Sequence, residues 1–205
     1  MNPLPLPAID VLPATRERFA DLRAVLEPKN NSSQACWCLT YRLTNAENSA
    51  LVGERRPERL KQLCGEPYAP GVLAYVNRTP AGWCAVNPRD SFERLNRSKT
   101  IQKLDDTPVW SVVCLVVRAG YRRTGVARAL IAGAVDYAAS KGATTIEAYP
   151  IEADGERVSV SLAFTGTTKL FASAGFNFCA PTLARSAGKD RVIMRCRLND
   201  GSSAA

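Results

Sequence analysis

The chain has 205 residues, of which 46% are hydrophobic and 22% charged; this is typical of a globular protein and enough for one core. Its longest apolar runs, such as residues 112–117, are too short to span a bilayer, and its N-terminus lacks a secretory pattern, so we expect a cytoplasmic protein without membrane contact. The absence of histidine excludes Ser-His-Asp and Cys-His nucleophile arrangements, and the net charge of +8 favours an anionic partner.

The first predicted elements are two helices and a hairpin. Apolar residues recur at helical spacing across residues 15–26, and a second, charge-rich helix covers residues 45–65. We expect Pro57 to break this second helix and Gly65 to end it. The apolar runs GVLAYV and AGWCAV, separated by NRTP, then predict a β-hairpin.

A β-α-β unit follows the hairpin. The run VWSVVCLVV is the most strand-like in the chain, and a helix with an apolar inner face begins at Val126 and ends near Lys141. The next strand is TTIEAY. This order implies a right-handed crossover between two parallel strands.

The last third of the chain completes the pattern. TGTTKLFASAGF predicts a helix that closes at Gly175, RVIMRCRL predicts a final strand, and we expect residues 199–205 to form a disordered tail. The chain contains no internal repeat and no long linker. We therefore predict one α/β domain over residues 1–198.

The segment RAGYRRTGVARAL, residues 118–130, joins the strand of this unit to its helix. Arg122 and Arg123 stand where the helix begins, although the helix dipole disfavours cations there. The unpaired amides of a first helical turn bind anions, and Gly125 and Ala127 let an anion approach the backbone closely. The pattern predicts an anion site reinforced by the two arginines; the alternative is that both arginines simply extend into water.

Two common phosphate-binding motifs are excluded at this turn. Gly120 and Gly125 have the spacing of a P-loop, but Val126 and Ala127 occupy the positions of its lysine and its hydroxyl residue. The dinucleotide fingerprint G-x-G-x-x-G is also absent. Nucleotide hydrolysis and hydride transfer therefore lose their main support.

A third motif matches. LVVRAGYRRTGVARALI resembles motif A of the GCN5-related N-acetyltransferases (GNAT), whose signature [QR]-x-x-G-x-[GA] is here RRTGVA. The hairpin resembles the family's second and third strands, KLFASAGF its late helix, and RVIMRCRL its closing strand. The resemblance implies a mixed, centrally parallel sheet flanked by helices, with acetyl-CoA as co-substrate and no metal. It implies cofactor binding by the backbone of Leu115, Val116 and Val117 for the pantetheine arm, and by Arg122, Arg123, Thr124, Gly125, Val126 and Ala127 for the pyrophosphate.

Catalytic residues are less clearly marked. The late-helix tyrosine that donates a proton in many GNAT members corresponds to Phe171, which cannot donate, so the general acid stays unassigned. Strand alternation places Glu147 and Tyr149 on one face, and this strand borders the thioester cleft in the family. Glu147 is our first choice as proton acceptor and Tyr149 our second. The alternative is that Glu147 pairs with an arginine and Tyr149 packs at the end of the sheet.

Aromatic and arginine residues outside motif A are candidates for the acceptor site. Aromatic rings could shape a slot for an amine, and arginines could hold an acidic group; the alternative for both tryptophans is a place in the core. Cys36 and Cys38 form a C-x-C without a second close pair, so we expect no metal site. The acceptor-site candidates are Trp37, Tyr41, Arg42, Trp83 and Arg89.

These features together predict an acetyl-CoA-dependent N-acetyltransferase that acts on a primary amine, either of a small molecule or of a protein lysine. One alternative is a non-catalytic acyl-CoA-binding module, which Phe171 keeps open. A nucleic-acid-binding protein is less favoured, because the arginines are spread along the chain and no known binding module appears. We expect a monomer or a homodimer.

Overall fold

A mixed β-sheet forms the centre of the molecule. The computed structural model describes residues 8–30, 32–153, 164–186 and 188–198, so the predicted tail lies outside the described residues. In the described part of the chain, seven strands form one sheet in the order β1-β2-β3-β4-β5-β7-β6. Their bounds are β1 Ile9–Pro13, β2 Gly71–Val76, β3 Thr79–Pro88, β4 Trp110–Val117, β5 Thr145–Ala148, β6 Asn177–Ser186 and β7 Lys189–Arg197.

Helices cover the sheet. Within the described ranges they are α1 Phe19–Leu26, α2 Asn45–Ala50, α3 Arg55–Leu63, α4 Glu93–Asn96, α5 Val126–Ser140 and α6 Thr168–Ala172. None of these helices combines the length and the apolar character that crossing a bilayer requires. Strands β4 and β5 pair in parallel, and α5 is the crossover between them. The other neighbouring strands pair antiparallel, which confirms the predicted mixed α/β fold.

The sheet separates two apolar clusters. Because successive residues of a strand point to opposite faces, Val112 of β4 belongs to the cluster beneath α5, together with Leu130. Its neighbour Val113 belongs to the cluster that contains Leu22 of α1 and Trp83 of β3. The β4 strand thus has an apolar neighbour on both faces, as its nearly continuous hydrophobic sequence predicts.

Gly82 determines how closely α5 approaches the sheet. A Cβ atom at this position would lie 2.9 Å from the carbonyl oxygen of Val116 and 3.1 Å from Cγ1 of Val126. A larger residue on β3 would therefore press against both the end of β4 and the start of α5. Glycine at position 82 thus allows the end of β4 and the start of α5, which border the predicted anion site, to pack closely against β3.

Several predicted elements are confirmed with small shifts. The hairpin β2–β3, strands β4, β5 and β7, and helix α5 occur where the sequence predicts them. The predicted helix over residues 45–65 is interrupted, but not at Pro57: the break lies between Ala50 and Arg55. Pro57 sits in the first turn of α3, where a backbone N–H has no helical acceptor and proline fits.

Two strands were missed, and both lie at edges of the sheet. Among the described strands, β1 pairs with β2 alone and β6 pairs with β7 alone. Strand β6 contains Pro181 and is exposed along most of its length. Proline is tolerated at an edge because one side of the strand has no hydrogen-bonding neighbour, yet its presence weakens a strand prediction.

Candidate active site

The turn between β4 and α5 uses left-handed backbone conformations. After one turn of 3-10 helix at Ala119–Tyr121, the chain is left-handed at Arg123, with φ of 65°, and at Gly125, with φ of 91°. Gly125 is the N-cap residue of α5. The Thr124 hydroxyl donates a hydrogen bond of 2.7 Å to the Tyr121 carbonyl and so closes the turn.

The backbone N–H groups at the start of α5 are unpaired. From Arg123 to Arg128, none of them donates a hydrogen bond to any group in the described residues. The first helical bond runs from the Ala129 N–H to the Gly125 carbonyl, at 3.0 Å. Free N–H groups and the positive end of the helix dipole together form a donor set suited to phosphate oxygens.

Exposed arginines surround these amides. The Nη1 of Arg118 donates to the Pro80 carbonyl at 2.9 Å, and the Nε of Arg122 donates to the Val117 carbonyl at 3.3 Å. These acceptors are neutral, and Arg118, Arg122, Arg123 and Arg128 have no ion-pair partner among the described residues. The positive charges therefore remain available to a polyanion.

Strand β4 separates from β5 just before this turn. The two strands pair only from Trp110 to Val112, and β4 has one extra residue at Val113 relative to β3. In the C-terminal half of β4, the Leu115 N–H donates to the Phe164 carbonyl at 2.6 Å. The edge predicted to pair with pantetheine thus already has a backbone partner at Leu115.

A cavity of about 1270 Å³, here called the large cavity, lies beside this edge. Val113, Cys114 and Val116 of β4 form part of its wall, and Trp37 and Tyr41 form another part. The large cavity therefore connects the separated edge of β4 with the aromatic segment that precedes α2. It offers space for an acceptor next to the strand.

Arg191 of β7 also lines the large cavity. Its side chain is 4% exposed; the Nε donates to the Tyr149 carbonyl at 2.8 Å and the Nη1 to the Tyr41 hydroxyl at 2.7 Å. Its Nη2 has no hydrogen-bond partner in the described chain. Among the described residues, this buried guanidinium group is thus held by neutral oxygens alone.

Glu147 lies in a separate buried ion pair. One carboxylate oxygen accepts hydrogen bonds from Arg89 Nη1 at 3.1 Å and from the Tyr149 hydroxyl at 2.7 Å. The other accepts a hydrogen bond from Arg195 Nε at 2.7 Å. Because Glu147 is 1% exposed and Arg89 4%, these contacts compensate charges that water cannot reach.

Arg195 links this ion pair to the surface. Its two terminal nitrogens donate to Asp105 at 2.6 and 2.9 Å, and these hydrogen bonds lower the pKa of the Asp105 carboxyl below its ordinary value. Glu147, Arg195 and Asp105 line a second cavity, of about 260 Å³. Burial, followed by the charge of Glu147, raises the pKa of Tyr149, so its hydroxyl stays protonated at neutral pH.

The family follows from the sequence itself. Residues 37–162, well over half of the chain, match the profile of the Acetyltransferase (GNAT) family. The chain belongs to the GNAT family. Membership supports N-acetyltransferase activity in general and leaves the acceptor open.

Solved structures show the same fold at low identity. The ribosomal-protein-alanine N-acetyltransferase from Brucella melitensis is 17% identical with a TM-score of 0.53, over 92% of this chain and 99% of that one. The yncA protein from Salmonella typhimurium, solved with its cofactor acetyl-CoA, is 17% identical with a TM-score of 0.51, over 97% and 98%. The NatC complex bound to Gag peptide and CoA contains a chain 15% identical with a TM-score of 0.52, over 93% and 99%. No curated protein matches the chain.

The acceptor candidates of this GNAT protein divide into two groups. Trp37 and Tyr41 line the large cavity. Arg42 is buried against Phe92 and donates to the Asn87 side chain and the Pro70 carbonyl, while Arg89 is bound to Glu147. Trp83 is fully buried in the core, which is the alternative considered for it from the sequence. Arg42, Trp83 and Arg89 therefore do not line the cavity that Trp37 and Tyr41 line.

The two predicted proton-handling residues of this GNAT chain contact each other rather than the large cavity. Among the described residues that line that cavity, neither Glu147 nor Tyr149 occurs. The alternative considered for Glu147, pairing with an arginine, describes its observed contacts. A role in proton transfer stays a prediction for both residues.

Phe171 cannot be converted simply into the usual GNAT acid. Its ring is fully buried, with its centroid 5.0 Å from that of Phe176. We expect Phe171→Tyr to leave kcat unchanged and to lower the free energy of unfolding by about 1–3 kcal/mol, because the added hydroxyl would enter an apolar cluster. Denaturant unfolding and steady-state kinetics measure both effects. A rise in kcat would instead show that a hydroxyl at position 171 can act as the general acid.

Sequence reasoning missed Arg191, although its segment was predicted as a strand. The signal was a charged residue at the start of the otherwise apolar run RVIM. A charge in a buried strand needs a partner, and the partners that the structure describes here are neutral.

A contact between two cysteines was also not predicted. The Sγ atoms of Cys38 and Cys114 lie 3.1 Å apart at the wall of the large cavity. In the described residues, no three potential metal ligands lie together.

Proposed function

We propose that this GNAT protein transfers the acetyl group of acetyl-CoA directly to a primary amine. The observation that carries the proposal is the run of unpaired amides from Arg123 to Arg128, next to a cavity beside β4. These amides and the unpaired arginines fit a pyrophosphate. The CoA and acetyl-CoA present in two of the fold neighbours support this choice of cofactor.

The proposal gives separate roles to the cofactor-binding turn, to strand β4, to the aromatic residues of the large cavity and to Glu147. Acetyl-CoA, when bound, supplies an activated acetyl thioester. The amides from Arg123 to Ala127 hold its pyrophosphate, and Arg122 and Arg123 neutralise the negative charge. The backbone of Val116 and Val117, beyond the Leu115 N–H that the Phe164 carbonyl occupies, aligns the pantetheine arm. Trp37 and Tyr41 orient the incoming amine. Glu147 stays the proposed final acceptor of the proton that the amine loses; because neither Glu147 nor its partner Tyr149 lines the large cavity, the proton has to reach Glu147 through solvent.

Release of free CoA tests the proposal. We expect acetyl-CoA to bind, and at least one amine to accelerate thiol release, detected with a thiol reagent across a panel of amino acids, polyamines, aminoglycosides and a lysine-rich protein. Mass spectrometry of the acceptor should show a gain of one acetyl group. If acetyl-CoA binds but no acceptor accelerates thiol release, the chain is an acyl-CoA-binding module instead.

A further inference from the structure

The large cavity has an unbalanced charge. Among the described residues that line it are four arginines and no aspartate or glutamate. A wall of one sign attracts ligands of the opposite sign and repels those of its own. The four are Arg94, Arg97, Arg185 and Arg191.

Two of these four arginines already form an ion pair with a carboxylate. Arg97 pairs with Glu93 at 2.5 Å, and Arg185 pairs with Asp190 at 2.9 Å. Arg94 and Arg191 have no carboxylate partner within the described ranges. Within that part of the chain, these two positive charges are therefore unbalanced and favour a negatively charged ligand.

Arg191 differs from the other buried arginines that lack a carboxylate. In Arg42 and Arg56 the terminal nitrogens donate to carbonyl or amide oxygens, and only the Nε lacks a partner. In Arg191 the unpartnered atom is the terminal Nη2, and the side chain stands at a cavity wall. A guanidinium has five N–H donors, of which Arg191 uses two here. The Nη2 atom is itself buried and can still donate hydrogen bonds to a group that reaches it from the cavity side.

We propose that Arg191 binds a carboxylate of the acceptor, and that the acceptor is a small amine bearing a carboxylate, of the amino-acid class. This inference rests on the proposed acetyl transfer and names the substrate class for it. The unpartnered Nη2 can donate a charge-assisted hydrogen bond to a carboxylate, and a buried setting strengthens that bond. The Tyr41 hydroxyl and the Tyr149 carbonyl hold the guanidinium in place, and Arg94 adds a second positive charge. Polyamines carry only positive charge, which the same cavity disfavours.

Matched pairs of acceptors test this proposal on the unmodified protein. Each of the common amino acids is compared with its own amide, which keeps the amine and side chain but lacks the carboxylate charge. For the preferred acceptor we expect kcat/KM to be roughly tenfold to hundredfold higher for the acid than for the amide, as for loss of a charge-assisted hydrogen bond. Equal or faster acetylation of amides, polyamines, phosphoethanolamine or a lysine peptide would overturn it.

The two proposals fail in distinguishable ways. If no amine releases CoA, acetyl transfer itself is disproved, and calorimetric titration of the same acids and amides still tests Arg191. Binding of an acid but not of its amide supports the carboxylate site, whereas no binding of any acid overturns it.

Variants assign the effect to Arg191. We expect Arg191→Gln to raise KM for the acid roughly tenfold to hundredfold, with little effect on the amide or on acetyl-CoA affinity. Arg191→Lys should restore part of the loss, because it keeps the charge without the fork. Arg185→Gln is the matched control: it lines the same cavity but is already paired with Asp190, so KM should stay within about threefold. An equal loss for acid and amide in Arg191→Gln would show a purely structural role and overturn the proposal.

Discussion

The Gly125→Val variant should fold but bind acetyl-CoA at least about thirtyfold more weakly than the unmodified protein. Gly125 has a φ of 91°, which a β-branched residue adopts only with strain, so the turn must change its path. The amides from Arg123 to Arg128 would then no longer converge on one anion. Calorimetric titration with acetyl-CoA measures the loss, and denaturant unfolding shows whether the fold survives.

Gly120→Val is the control for this variant. Gly120 lies in the same turn, but its φ is not in the left-handed region and a Cβ there would have no atom within 4 Å. We expect its acetyl-CoA affinity to stay within about threefold of the unmodified protein, because neither strain nor contact arises. Normal binding by Gly125→Val would place the pyrophosphate somewhere other than this turn.

The Glu147→Gln variant should lose about 3 kcal/mol of unfolding free energy, because breaking a buried ion pair leaves an uncompensated charge. Arg89 is 4% exposed and has no other carboxylate partner among the described residues. Arg195 retains its ion pair with Asp105, so its charge stays compensated in the variant. Urea unfolding of the variant and the unmodified protein measures the difference.

Two carboxamide variants provide comparisons for Glu147. Asp105→Asn removes the exposed partner of Arg195 but leaves the Glu147–Arg89 pair intact, so its loss should be much smaller. Glu93→Gln removes a surface ion pair with Arg97 and should cost less than about 1 kcal/mol. Similar losses in all three variants would contradict the dominant structural role of Glu147.

The same Glu147 variant tests catalysis independently of stability. If Glu147 accepts the proton of the amine, kcat at neutral pH should fall at least about a hundredfold, while acetyl-CoA affinity stays nearly unchanged. The assay is run well below the unfolding midpoint, so that only folded protein is compared. Unchanged kcat would leave Glu147 with its ion-pair role alone.

Local features of the fold could be predicted from the sequence. The change from strand to helical periodicity at Gly125, and the positive φ that glycine favours, indicate the strand–turn–helix unit without any distant contact. Alternation in β5 likewise predicts that Glu147 and Tyr149 share a face, and their side chains do hydrogen-bond to each other. The edge strands β1 and β6 were not predicted, because a half-exposed strand has a weaker hydrophobic pattern in the sequence.

Partners far apart in the sequence could not be predicted. Glu147 meets Arg89 from 58 positions before it and Arg195 from 48 positions after it, and only the strand order brings them together. Composition cannot reveal which of many arginines becomes buried or which partner it finds. Arg42 and Arg89 were therefore placed in the acceptor site from their neighbours in the sequence, whereas Arg191 reaches the large cavity through the last strand.

The hydrogen bond between Tyr41 and Arg191 joins residues 150 positions apart, so the part of the large cavity's wall that they share depends on the tertiary fold and is lost on unfolding. A compound that binds there recognises the native state alone and raises the melting temperature by mass action. At a hundredfold excess over Kd the gain is about 2.7 kcal/mol. A library of candidate metabolites can thus be screened by melting shift, without first knowing which one is acetylated.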